Sequence, residues 1–321
     1  MIQAAMTPLI AARPHVRAAL LAWALTPLLG ACGLLFEPDS TASHITAVGP
    51  PAQPVRLHTE EEGAGEPVIM LHGYGASAYS WRRLRPALAR THTVIAIDLK
   101  GFGRSEKPFD DTYSALDQAK LILDFIEKRD LRNITLIGHS FGGSVALALA
   151  IKLNQVRPTR LKKLVLLDAA AYEQGLPPAL HVLRVPVLAQ VASTAIPPEV
   201  KSAAALAFAY QDPSKVGSAD VAAYARPMYE PGNQHALIET ARKIIPKYAN
   251  ILTYQYRTLR QPALLIWCRN DRIVPLAIGQ RLARELPRAR LEIIESCGHV
   301  PQEEEPELTA LAISRFLKRS L

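Results

Sequence analysis

One serine in this 321-residue chain sits where a hydroxyl could be made to react. Ser140 is the centre of Gly138-His139-Ser140-Phe141-Gly142. The run Ile134-Thr135-Leu136-Ile137 ahead of it is short, apolar and rich in β-branched residues, and reads as a buried strand. Ser144 to Ala150 behind it is small and helix-tolerant, and reads as a buried helix. A strand that reverses into a helix across so few residues holds its central residue at a strained backbone angle and aims the hydroxyl away from the sheet. Gly138 and Gly142 flank the serine because a side chain at either place would collide with the neighbouring helix or strand. A serine hydroxyl is a poor nucleophile at its own pKa. It needs a base beside it, and a third group to orient the base.

The elements that must position those groups alternate along the chain. Val55–His58, Pro67–Leu71 and Thr93–Ile97 read as strands, with a short helix between Ser80 and Ala89 that Pro86 interrupts. Leu116, Ala119, Ile122, Leu123 and Ile126 recur on one helical face. After the Ser140 strand and helix come strands at Lys163–Leu167, Ala263–Trp267 and Arg290–Ile294, a helix near Ile278–Leu286, and a last helix from Pro306. Strands separated by helices pair in parallel, so the expected fold is α/β, a doubly wound and mostly parallel sheet. Residues 173–261 break the alternation. They carry Pro177, Pro178, Pro186, Pro197, Pro198, Pro227 and Pro231 among apolar residues at helical spacing. That pattern predicts short, proline-broken helices inserted as a cap over the carboxyl ends of the strands, where open parallel sheets bind ligand. There is no internal repeat and no low-complexity tract.

With these motifs in this order, the chain resembles the α/β-hydrolases with a capped active site, of the serine esterase and lipase type. The resemblance covers about residues 55–320, and it is specific for the superfamily rather than for a substrate. His72-Gly73-Tyr74-Gly75, straight after a strand, is similar to the family's oxyanion loop. The resemblance implies an oxyanion hole made by the backbone N–H groups of Tyr74 and Phe141, each worth roughly 3 kcal/mol of transition-state stabilisation. The His72 side chain is read as a brace for that loop. Asp98 to Ser105 also matches a family loop and is read as scaffold. His299, in Ser296-Cys297-Gly298-His299-Val300-Pro301 after the last strand, is similar to the family's histidine and stands in the order serine, acid, histidine. Asp271, in the loop after the preceding strand, is the expected acid. Asp168, at the end of the strand that follows Ser140's, is the alternative acid position. His58, His92, His181 and His235 are read as surface or cap residues.

The N-terminus carries an address. Arg13 and Arg17 precede Ala18–Ala31, an apolar stretch as long as a signal h-region and too short for a membrane span. Leu29-Gly30-Ala31-Cys32 resembles the bacterial lipobox, which implies that Cys32 is lipidated and becomes the first mature residue. Gly33 rather than Asp follows, which favours the outer membrane if the cell has two. Residues 1–31 are then signal peptide, 32–54 a proline-rich tether, 55–172 and 262–321 the core, and 173–261 the cap. The net charge of +8 is scattered, with no basic run interleaved with aromatics, so a nucleic-acid partner is not expected. Cys268 and Cys297 are read as two small buried thiols, because the sequence does not supply the Cα separation that a bridge demands. No Cys or His pair has ligand spacing and no phosphate-cradling glycine motif occurs, so no metal and no cofactor is expected.

The resulting expectation is a lipid-anchored, envelope-facing serine hydrolase that cleaves carboxylic esters or lipid-like substrates through an acyl-enzyme. Ser140 attacks, His299 relays the proton, Asp271 orients His299, and the Tyr74 and Phe141 amides hold the oxyanion. Two alternatives stay open. One is a carbon–carbon bond hydrolase of the kind that cleaves ring-fission diketones. The other is a non-catalytic envelope binding protein on the same scaffold.

Overall fold

The computed structural model describes residues 41–185, 195–245 and 249–319. The signal peptide and Cys32 lie outside them, as do 186–194 and 246–248 of the cap. Eight strands form one sheet: β1 (Ala42–Val48), β2 (Val55–Glu62), β3 (Glu66–Leu71), β4 (His92–Ile97), β5 (Ile134–His139), β6 (Leu161–Leu167), β7 (Ala263–Cys268) and β8 (Ala289–Ile294). Their order across the sheet is β1-β2-β4-β3-β5-β6-β7-β8. The first two pairings, β1 with β2 and β2 with β4, are antiparallel, and the others are parallel. This is the doubly wound, mostly parallel sheet expected from the alternation.

The continuous apolar runs follow from burial on both faces. Every residue of β5 and of β7 is buried. On one face pack α2 (Ala115–Lys128), α3 (Phe141–Val156) and α9 (Leu276–Glu285), against Ile69, Leu71, Leu136, Leu164 and Leu265. On the other pack α1 (Arg85–Ala89) and α11 (Pro306–Lys318), with Trp81, against Val68, Met70, Ile137, Val165 and Leu264. Neighbouring residues of one strand thus belong to different core layers, as the period of two requires. A capping box between Ser114 and Asp117 starts α2.

Residues 42–48, assigned above to the tether, are instead the edge strand β1. It pairs with β2 from Ala42 opposite Glu61 to Val48 opposite Val55. The turn between them carries Gly49 at φ 85° and an amide of Gln53 donating to Pro50 O. The strand is exposed on most of its length and buries only Val48 fully, so it has little apolar periodicity to betray it.

Helices between β6 and β7 make the cap: α4 (Pro178–Arg184), α5 (Pro198–Ala209), α6 (Ser218–Ala225), α7 (Asn233–Lys243) and α8 (Ala249–Gln255). Pro178 and Pro198 stand in the first turn of their helices, where the missing N–H costs nothing. The prolines thus start these helices rather than break them. Leu71 is aligned with both Ile97 and Gly138, His139 with Leu167, Leu167 with Ile266, and Cys268 with Ile294. The carboxyl ends of β3, β5, β6, β7 and β8 therefore form one edge. The loops that carry His72, Ser140, Asp168, Asp271 and His299 all leave from it.

Candidate active site

Ser140 sits between β5 and α3 at φ 52° and ψ −118°, a left-handed backbone for a residue with a side chain. Its N–H donates to Leu167 O at 3.0 Å, and its C=O accepts from Ala170 N at 3.1 Å and Gly143 N at 2.9 Å. The neighbouring strand and helix thus over-determine the strained turn. The flanking glycines are required by contact. A Cβ on Gly138 would lie 2.5 Å from Gly142 O, and one on Gly142 would lie 2.1 Å from Leu71 O.

The structure brings Ser140, His299 and Asp271 into one line. His299 Nε2 is 2.9 Å from Ser140 Oγ, and His299 Nδ1 is 2.7 Å from Asp271 Oδ2. An ionised carboxylate only accepts, so Nδ1 carries the proton and Nε2 is left to take the one on Ser140. Asp271 is fixed in turn: its Oδ1 accepts from the amides of Ile273 at 2.7 Å and Val274 at 2.9 Å. All three side chains are buried. Such a line can deprotonate a hydroxyl as it attacks a carbonyl carbon and return the proton to a leaving group.

Cys268 and Cys297 are joined by a disulfide with a Cα–Cα distance of 5.1 Å, which corrects the reading of two thiols. Cys268 ends β7, three residues before Asp271, and its register partner is Ile294 at the end of β8. The chain turns after β8 and brings Cys297 back over the end of β7. The bridge thus ties the acid's loop to the histidine's loop. Sequence spacing alone carries no signal for that turn.

The loop after β3 that carries His72 to Gly75 is braced as expected. His72 Nε2 accepts from Leu99 N at 3.0 Å, so Nδ1 carries the hydrogen and donates to Gly73 O at 2.7 Å. Burial holds this imidazole below its ordinary pKa, neutral, despite the pull of Asp98. Tyr74 O–H donates to Leu237 O in α7 at 2.9 Å. Phe141 is the first residue of α3, so its N–H has no acceptor within the helix. Asp98 is scaffold: Oδ1 accepts from Ala78 N at 2.6 Å, and Oδ2 takes Arg104 N and His58 Nδ1, each at 2.8 Å. His58 is therefore a buried partner of Asp98 rather than a surface residue, and its Nε2 reaches Ser43 Oγ on β1.

Several supports were not legible in the sequence. His139 donates from Nε2 to His299 O at 2.7 Å, and its ring lies 4.9 Å from the His299 ring. The helix α10 (Pro301–Glu304) clamps the cap to the histidine loop. Glu304 Oε2 accepts from Gly298 N at 2.7 Å and Gln211 N at 3.1 Å, and Oε1 from Asp212 N at 2.9 Å. His299 N donates to Ala209 O at the end of α5 at 2.7 Å. Beside these, Glu303 is fully buried and takes Arg82, Tyr210 and Tyr224, while Arg82 also holds Asp220 of α6. Three consecutive glutamates, Glu303 to Glu305, carry no sequence signal that the first two are buried.

Among the described residues, Asp168, Asp271 and His299 are the one cluster whose ligand atoms lie close enough, within 4.8 Å of one another, to hold a cation. Two of those atoms are already hydrogen-bonded to each other at 2.7 Å, and the cluster reads as chemistry rather than as a metal cage. Beside Gly75 and Ala76 lies a cavity of about 10 Å³, room for roughly one water, lined also by Phe102, Tyr224, Met228, Asn233 and Leu237.

The fold, the strained turn at Ser140 and the aligned side chains define a hydrolase class, and the comparisons agree. A family model for the alpha/beta hydrolase fold matches residues 66–306, so the chain belongs to that family and is a hydrolase. It is 30% identical over 254 residues to the uncharacterized hydrolase YugF of Bacillus subtilis, covering 78% of this chain and 89% of that one. It is also 30% identical over 277 residues to a 2-hydroxymuconate semialdehyde hydrolase of a Pseudomonas species, covering 82% and 90%. A thermophilic esterase from Thermogutta terrifontis shares the fold, with a TM-score of 0.72 at 23% identity over 86% of this chain and 98% of that one.

Proposed function

We propose that this hydrolase cleaves carboxylic esters through an acyl-enzyme, with Ser140 as nucleophile, His299 as base and then acid, and Asp271 as its orienting partner. The observation that carries the reading is the Ser140–His299–Asp271 line at 2.9 and 2.7 Å. In the first step Ser140 Oγ bonds to the acyl carbon as its proton passes to His299 Nε2, and the oxyanion forms against the Tyr74 and Phe141 amides. His299 returns that proton to the departing alcohol, and a water repeats the sequence to release the acid. A reactive line this complete also argues against a purely binding role, because binding alone requires neither an aligned base nor a strained serine turn.

Carbon–carbon bond cleavage is the second reading, favoured by the name of the 30%-identical Pseudomonas relative. The clamp through Glu303, Glu304 and Arg82 argues for a cap that stays closed around a bounded acyl site. With a panel of p-nitrophenyl esters, activity is expected to peak at short or medium acyl chains and to show no jump as a substrate passes its solubility limit. A jump there, with hydrolysis of long-chain triglycerides, would make it a lipase. Turnover of a ring-fission diketone with no ester cleavage would move the reading to carbon–carbon hydrolysis.

The same proposal places the protein in the cell envelope, held by acyl chains on Cys32. The basic, apolar leader ending in Leu29-Gly30-Ala31-Cys32 supports it, and the Cys268–Cys297 bridge suits an oxidising compartment. Among the described residues no helix is long and apolar enough to cross a membrane. The wild type is expected to sediment with membranes and Cys32→Ser to release it. One acyl chain holds only marginally, so firm attachment reports more than one. A wholly soluble wild type with an unmodified Cys32 would end this part of the proposal.

A further inference from the structure

Asp168 is the buried ionisable group at this site for which the reaction as described has no use. It follows β6 directly, at φ 42°, a left-handed backbone that a residue with a side chain adopts only where its surroundings enforce it. Its N–H donates to Ile266 O at 3.0 Å, and its Oδ1 accepts from Cys268 N at 2.9 Å. The side chain is fully buried, and Oδ2 has no donor partner among the described residues. Its carboxyl lies in the cluster with Asp271 and His299 whose nearest polar atoms are within 4.8 Å of one another.

We propose that Asp168 is a positioning residue of this site, a protonated carboxylic acid that donates a hydrogen bond to the Asp271 carboxylate and so holds the acid–imidazole pair in line. The inference rests on the reading of Ser140, His299 and Asp271 as the reacting line. Lone pairs identify the acceptor. Asp271 Oδ1 already takes two amides, whereas Oδ2 takes only His299 and has a second lone pair free. A bare oxygen on one buried carboxyl and a free lone pair on its neighbour are joined by one proton. A carboxylate this near disfavours a second ionisation beside it.

The charged and titratable groups around Asp168 point the same way. Asp271 faces it from the loop after β7, His299 from the loop after β8, and Glu304 from α10, and the His139 ring lies 4.9 Å from that of His299. Two of these are acids, and no lysine or arginine is hydrogen-bonded to Asp168 to balance a second negative charge. Burial, and after it the Asp271 charge, push the Asp168 carboxyl well above the usual carboxylate range. A neutral donor gives the line two things. It fixes Asp271 from the side opposite the amides, and it keeps the negative charge beside the imidazole at one.

The test uses the full-length protein and two substitutions. Asp168→Asn keeps both bonds, since its amide oxygen can accept from Cys268 N and its NH₂ can donate to Asp271. Asp168→Val keeps the bulk and loses the donor. The infrared spectrum of the wild type at neutral pH is expected to contain a carbonyl band of a protonated carboxylic acid that is missing in Asp168→Asn. That readout needs no substrate. Turnover and the rate of Ser140 labelling by a fluorophosphonate are expected to stay within about threefold of wild type in Asp168→Asn, with an unmoved pH profile. In Asp168→Val both are expected to fall about tenfold, the worth of one ordinary hydrogen bond, with the acid limb of the profile moved to higher pH. That direction follows because an Asp271 without its donor is more basic and holds the protonated imidazole more firmly. If the wild type lacks the difference band, or if Asp168→Asn moves the acid limb to lower pH, Asp168 is ionised and the proposal fails. It fails equally if Asp168→Val, folded by thermal melt, reacts like the wild type. A wild type inert to the fluorophosphonate would overturn the reading of Ser140 instead, and the infrared comparison would still decide the state of Asp168.

Discussion

Asp271→Asn is expected to lower kcat on a p-nitrophenyl ester by about 10⁴-fold without a change in fold, the cost seen when the orienting acid of a serine triad becomes an amide. The surroundings of Asp271 say how. Its Oδ1 accepts from Ile273 N at 2.7 Å and from Val274 N at 2.9 Å, and those amides have no other use for their protons. In the variant the amide oxygen must stay with them, which turns the NH₂ toward His299 Nδ1. A donor there selects the imidazole tautomer whose proton lies on Nε2, facing Ser140 Oγ, where it can no longer accept. The serine keeps its place and loses its base. Asp168→Asn is expected to do far less, because Asp168 reaches Asp271 and the backbone rather than holding the imidazole proton. The check is kcat for both variants beside their melting curves. The reverse ranking, in proteins that melt like the parent, would move the acid to Asp168.

Replacing both bridged cysteines, Cys268→Ser with Cys297→Ser, is expected to lower stability by about 3 kcal/mol, since the bridge closes a loop between residues 29 apart in sequence. That corresponds to a fall in melting temperature of roughly 10 °C for a domain of this size. Both sulfurs are buried, so the bridge is sealed in the folded protein and a reductant acts mainly on chains that have opened. Function is expected to suffer before the whole fold does. The bridge ties the Asp271 loop to the His299 loop across the ends of β7 and β8, and a loss of tension there separates an imidazole and a carboxylate that must stay 2.7 Å apart. Activity of the double variant is therefore expected to decline with heating ahead of its melting transition. A variant with the parent's melting temperature, or two titratable thiols in the folded wild type, would remove the bridge from this account.

The sequence by itself determined the parts of this protein that local chemistry dictates. Gly138 and Gly142 announce the turn at Ser140 because only a residue without a side chain fits against Gly142 O and Leu71 O. The apolar runs of β3, β5, β6 and β7 announce a sheet buried on both faces, and their alternation with helices sets the parallel order. From that order, together with a family resemblance in the loops, came the line of Ser140, His299 and Asp271. The edge strand β1 escaped because a strand exposed on most of its length has no apolar period to read. The tertiary structure alone decided what joins these loops to one another. Whether Cys268 and Cys297 meet depends on how the chain turns after β8. Whether Glu303 and Glu304 are solvated or buried depends on a cap folded from residues some ninety positions away. Whether Asp168 faces the imidazole or another acid depends on which strand lies beside which. Each of these rests on a distance between residues far apart along the chain. Such distances are fixed only when the whole core packs, and a local pattern of residue types does not encode them.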